Sequence, residues 1–134
     1  MKQGEIMNYH ISKHVKYGFE EAILKVTEKL KEEGFGVLTE IDVQETLKKK
    51  LDVDFKKYKI LGACNPTFAH KALLAEDKIG TMLPCNVIVE EHEDGSVEVS
   101  AVNPMASMQA VENEKLSSIA NEVKSNLEKV IESV

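Results

Sequence analysis

Apolar residues follow two rhythms along the chain, and the switches between them mark the elements. Alternation over residues 6–15, with Met7, Tyr9 and Ile11 on one side and Asn8, His10, Ser12 and His14 on the other, predicts a half-buried strand. After Tyr17-Gly18 the apolar positions Phe19, Ala22, Ile23, Val26 and Leu30 take helical spacing up to Gly34, a residue suited to ending a helix. Residues 37–41 are rich in strand formers, and Asp42 with Glu45 reads as a capping box opening a short helix that carries Val43, Leu47 and Leu51. Residues 58–64 form a largely apolar strand. Asn65-Pro66 then supplies a helix cap and a first-turn proline for a second short helix through Phe68, Ala69, Ala72 and Leu73.

Strands over residues 87–92 and 97–102 flank Asp94-Gly95, a strong hairpin signal, so they are expected to pair antiparallel. Asn103-Pro104 repeats the cap-and-proline punctuation. From Leu116 onward, Ile119, Ala120, Val123, Leu127, Val130 and Ile131 form one apolar stripe, the mark of a second long helix. The order predicts a two-layer α+β fold: a five-stranded, mainly antiparallel sheet, two long helices on one face, and two short helical insertions. That order resembles TATA-binding-protein-like folds in topology. A parallel sheet with the short helices as crossovers is the competing arrangement, which helices this short disfavour. Residues 1–5 are expected to be a flexible tail and residues 6–134 one domain.

With 134 residues, 43% of them hydrophobic and 30% charged, the chain can bury a core without staples. The formal charge of -6 repels a nucleic-acid backbone and so argues against DNA or RNA as partner. The one basic run, Lys48-Lys49-Lys50, reads as a solvated helix face. No apolar run approaches the ~18 residues of a membrane span, and the N-terminus lacks the apolar run of a secretory signal. Two cysteines are too few for a secreted disulfide scaffold, so a cytoplasmic location with reduced thiols is expected.

The chemically pointed feature is a pair of dipeptides, Cys64-Asn65 and Cys85-Asn86. If the last four strands form an antiparallel meander, one rim gathers both with Asn103, and these five residues are the candidate ligand or thiol site. Cys64 precedes a helix N-terminus, where backbone N–H groups favour a thiolate, and Cys85 would then be its resolving partner. The alternative is that both cysteines are small buried hydrophobes at strand ends and Asn65 is only a cap. Asn86, within the apolar stretch 82–89, is expected to need buried hydrogen-bond partners. Gly62 and Gly80 allow close backbone approach near the same rim.

Two thiols with Met82, Met105 or Met108 would suit Cu(I), or zinc with a histidine, but the Cys64 to Cys85 spacing is no metal signature and no metal site is assigned. His10 and His14, four apart on a strand, lie too far apart to share a metal; they, like His92 beside the hairpin turn, are expected to be solvated. His70 is carried away from the rim by its helix. Phosphate loops, Ser-His-Asp ordering and zinc-protease motifs are absent from the sequence.

Three segments, residues 34–42, 61–66 and 83–87, together resemble the domain-of-unknown-function family 302, with the similarity running from about Tyr9 to Val134. Cys64-Asn65-Pro66 and Pro84-Cys85-Asn86 fit that family's pattern. The resemblance implies an α+β fold and self-association into homodimers, and it implies no activity. Two functions are therefore expected as alternatives: a small-ligand site at the Cys-Asn rim with thiol redox chemistry, and a non-catalytic homo-oligomeric module using the uncovered sheet face. Soft-metal binding stands third.

Overall fold

The structure, a computed structural model, describes residues 8–134. The tail expected at residues 1–5, and the first two positions of the expected opening strand, lie outside the described residues. The chain runs β1 (His10–Val15), α1 (Phe19–Glu32), β2 (Gly36–Asp42), α2 (Val43–Leu51), β3 (Tyr58–Cys64), α3 (Pro66–Ala75), β4 (Cys85–Glu91), β5 (Val97–Val102), α4 (Pro104–Ser107) and α5 (Glu114–Ser133). A 3-10 segment, Asp77–Met82, links α3 to β4. The sheet order is β1-β5-β4-β3-β2 and every pairing is antiparallel, which excludes the parallel alternative.

Local chemistry explains the boundaries. The helix α1 ends where Gly34 turns to φ +85°, its N–H bonding the Lys31 carbonyl while the Phe35 N–H reaches back to Leu30. That pair of bonds closes the last turn, and Leu30 and Phe35 are both buried beside it. Asp42 caps α2 by accepting from the Glu45 N–H at 2.9 Å, but the Glu45 carboxylate pairs with Lys49 at 3.2 Å, so only half of the expected capping box forms. Lys48 meets Asp52 and Asp54, so the basic run is partly neutralised on an exposed helix. In the hairpin, Gly95 takes φ +85° and Asp94 accepts from the Ser96 N–H and hydroxyl. Those bonds hold the Asp94 carboxyl below its ordinary pKa.

The core lies between the sheet and the two long helices. From the sheet come Leu61, Ala63, Val87, Val89, Val97, Val99 and Ala101; α1 contributes Val26 and Leu30, and α5 contributes Val123, Leu127 and Val130. A smaller cluster, Ala72, Ile79, Met108, Leu116 and Ala120, joins α3, the 3-10 segment and α5. Thus α5 serves both clusters, which is why it is the longest helix. Tyr9, expected on the buried side of the first strand, is instead 72% exposed; it lies one residue before β1, its carbonyl accepting from the Asn103 N–H at 2.8 Å.

The opposite sheet face has no long helix. Across it run Ser12, Ser100, Ile88, Ile60 and Ile41, each directly opposite the next on the neighbouring strand. Among the described residues, no helix is long and apolar enough to cross a membrane.

Candidate functional site

Antiparallel pairing brings the ends of β3 and β5 and the start of β4 to one rim. Ala63 lies opposite Cys85, so Cys64 is displaced from Cys85 by a single residue along β3. Both are half-buried free thiols. Burial, reinforced by the neighbouring Cys64, pushes the Cys85 thiol up to about 11, so it holds its proton throughout the neutral range.

Between this rim, α3 and α5 lies a cleft lined by Phe35, Phe68, Leu83 and Ala120 together with the two cysteines. Its cavity volume is about 40 Å³. That volume is far below the roughly 300–1,000 Å³ of a site that engulfs a drug-sized ligand. A single small apolar group fits it.

The asparagines separate into different roles. Asn65 caps α3, accepting from the Phe68 N–H at 3.4 Å, and its amide donates to the Glu33 carbonyl at the end of α1. A Cβ on Gly34 would come within 3.0 Å of that amide, so Gly34 and Asn65, 31 positions apart, interlock. Asn103 is buried; its amide donates to the Asn8 carbonyl at 2.8 Å and its side-chain oxygen accepts from the Met105 N–H at 3.1 Å, which fastens the start of β1 to α4. Asn86 departs from expectation. It is exposed rather than buried, since strand alternation turns Val87 and Cys85 toward the helices and Asn86 to the open face, opposite Gly62. The rim therefore joins Cys64, Asn65, Cys85 and Asn103, and leaves Asn86 behind the sheet.

Gly62 does allow a close approach: a Cβ there would strike Thr39 Oγ1 and lie 2.9 Å from Pro84 Cγ. Gly80 does not, since its nearest neighbour would be Leu73 at an ordinary 3.8 Å. Among the described residues, no buried side-chain nitrogen or oxygen lacks a partner.

One cluster escapes sequence reading. His14 on β1 lies opposite Glu98 on β5, and His92, just past β4, reaches Glu98 with Nε2 2.9 Å from Oε1. The His14 and His92 rings are 5.7 Å apart between centroids. Strand pairing thus draws together two histidines expected only to be solvated; His14 is exposed, as expected, and His92 is half-buried. The only sequence signal is their alternation with Ser12 on one strand face and the flanking of the Asp94-Gly95 turn by His92 and Glu98. His10 instead bonds Ser12, which bonds Ser100. His70 is exposed, as its helical position implies.

Comparison with known proteins gives two results and one blank. The family model described as "Domain of unknown function DUF302" matches residues 11–134. The crystal structure of an uncharacterized conserved DUF302 protein from Bacillus stearothermophilus superposes with a TM-score of 0.87 at 30% identity, covering 93% of this chain and 97% of that one. A search of curated proteins returns no match. A match across nearly the whole chain, in the family and in the fold, establishes that this chain belongs to the DUF302 family.

Proposed function

We propose that the chain is a binding domain whose site is the cleft at the Cys64 and Cys85 rim, taking a small apolar group. The observation that carries this reading is the meeting of both thiols with an apolar opening at the one place where the Gly34, Cys64 and Cys85 segments converge. Asn65 and Asn103 act as struts of its walls, and Asn86 is no part of it. Cys85, protonated at neutral pH, serves as soft apolar wall rather than as a resolving thiolate, which disfavours the redox form of the reading. A count of two cysteines in 134 residues supports a cytoplasmic location.

The test is amide NMR during titration with xenon and with short-chain alcohols. Saturable shifts at Phe35, Cys64, Ala69 and Ala120 are expected, and Ala69→Leu, which fills the cleft, should abolish them. Shifts scattered over the surface, or unchanged by Ala69→Leu, would remove the reading.

A second reading, self-association into a homodimer through the open sheet face, is favoured by the row Ile41, Ile60, Ile88. Ile41 is 48% exposed on an edge half of the sheet, where a second copy would bury it. Sedimentation at micromolar concentration should give twice the chain mass, reverting to monomer in Ile41→Glu. A monomer in the unmodified chain rejects this reading and leaves the cleft untouched.

A further inference from the structure

We propose that His14, His92 and Glu98 form a binding site for a divalent transition metal of the zinc type, on the open face of the sheet and at the rim away from the cysteines. Their candidate ligand atoms all lie within 4.8 Å of one another. Two imidazoles and a carboxylate are the donor set that zinc accepts in sites that keep a solvent position open. Hard cations such as Mg²⁺ and Ca²⁺ seek oxygen ligands instead, so the histidines select against them.

The placement follows from strand pairing rather than from local sequence. His14 and Glu98 are direct cross-strand partners on the same face. The chain after β4 turns back at once, its His92 N–H bonding the Ser96 carbonyl at 2.8 Å, and this holds the His92 ring over Glu98. Glu90 is directly opposite Glu98 on β4, and two facing carboxylates would repel. Lys56 occupies Glu90 at 2.7 Å, leaving Glu98 to the imidazoles.

Zinc bonds of about 2.0–2.2 Å put two ligand atoms of a tetrahedron about 3.3 Å apart. His92 and Glu98 are already nearer than that, so closure requires the rotation of His14, which is exposed and able to move. Bound metal would bridge β1 to the β4–β5 hairpin. Because β1 is an edge strand held to the sheet by β5 alone, the bound ion is expected to raise the melting temperature.

The experiment is calorimetric titration of tag-free protein with Zn²⁺, with native mass spectrometry for stoichiometry and Co²⁺ as a spectroscopic substitute. The expected result is one saturable ion per chain. His14→Ala and Glu98→Gln should each weaken binding at least about tenfold with unchanged circular dichroism. The paired variant Cys64→Ser/Cys85→Ser should bind as the parent does, and Co²⁺ should show d–d bands without thiolate charge transfer. Absence of saturable binding overturns the proposal. So does binding that survives His14→Ala with His92→Ala, or a Co²⁺ spectrum carrying thiolate bands that vanish in the cysteine variant. The Co²⁺ spectrum of the unmodified chain decides the ligand type even if a histidine variant were to misfold.

Discussion

Leu61→Ala is expected to lower the free energy of unfolding by about 2–5 kcal/mol, read as a fall in the urea midpoint at unchanged slope. Leu61 is wholly buried, on β3 between the β2 and β4 strands, and its side chain enters the cluster that α1 and α5 close from the other side. Truncation removes apolar contacts and leaves a cavity that a sheet paired on both sides has little freedom to collapse. A loss under about 1 kcal/mol would show that the two layers do not close over this position.

The next residue is expected to fail for the opposite reason. Gly62→Ala should cost about 1–3 kcal/mol by overpacking. The new Cβ meets Thr39 Oγ1 on β2 and Pro84 on the approach to β4, and Pro84 also lines the cleft. Removing the hydroxyl supplies the control. With Thr39→Ala added, the nearest Thr39 atom would be its Cβ at an ordinary 3.5 Å, so part of the loss should return, and a double-mutant cycle should report coupling between the two positions. Additive costs would place the strain elsewhere. Because Pro84 must shift to admit the Cβ, Gly62→Ala should also weaken xenon binding in the cleft, linking the sheet interior to the proposed site.

Much of the fold was legible in the order of residues. The stripe from Leu116 to Ile131 marks α5 because helical periodicity repeats every 3.6 residues and needs no partner to be recognised. Asn65-Pro66 and Asn103-Pro104 mark helix starts because capping is chemistry among neighbours in sequence. The 3-10 segment Asp77–Met82 carries no such stripe; Ile79 is its one buried residue, and its position is set by the small cluster under α5.

At the candidate site the division is sharper. The dipeptides Cys64-Asn65 and Cys85-Asn86 look alike in the sequence, yet their asparagines differ entirely in place. Asn65 follows the last residue of its strand and turns back to cap a helix, whereas Asn86 continues a strand and alternation carries it to the open face. Which residue of a strand comes first in the pairing is a matter of register, and a shift by one residue exchanges the two faces.

By itself, then, the sequence determined the periodicity, the caps and turns, the acidic surface and the presence of two thiols, all of which depend on residues close together along the chain. Tertiary structure alone decided that Cys64 and Cys85 share a rim, that Asn86 does not, that Gly34 makes room for Asn65, and that His14 faces Glu98 on the adjacent strand with His92 beside it. The reason is physical: contacts between distant residues are chosen by strand direction and register, which follow from burying one face of every strand against α1 and α5 together, and no local pattern encodes that joint choice.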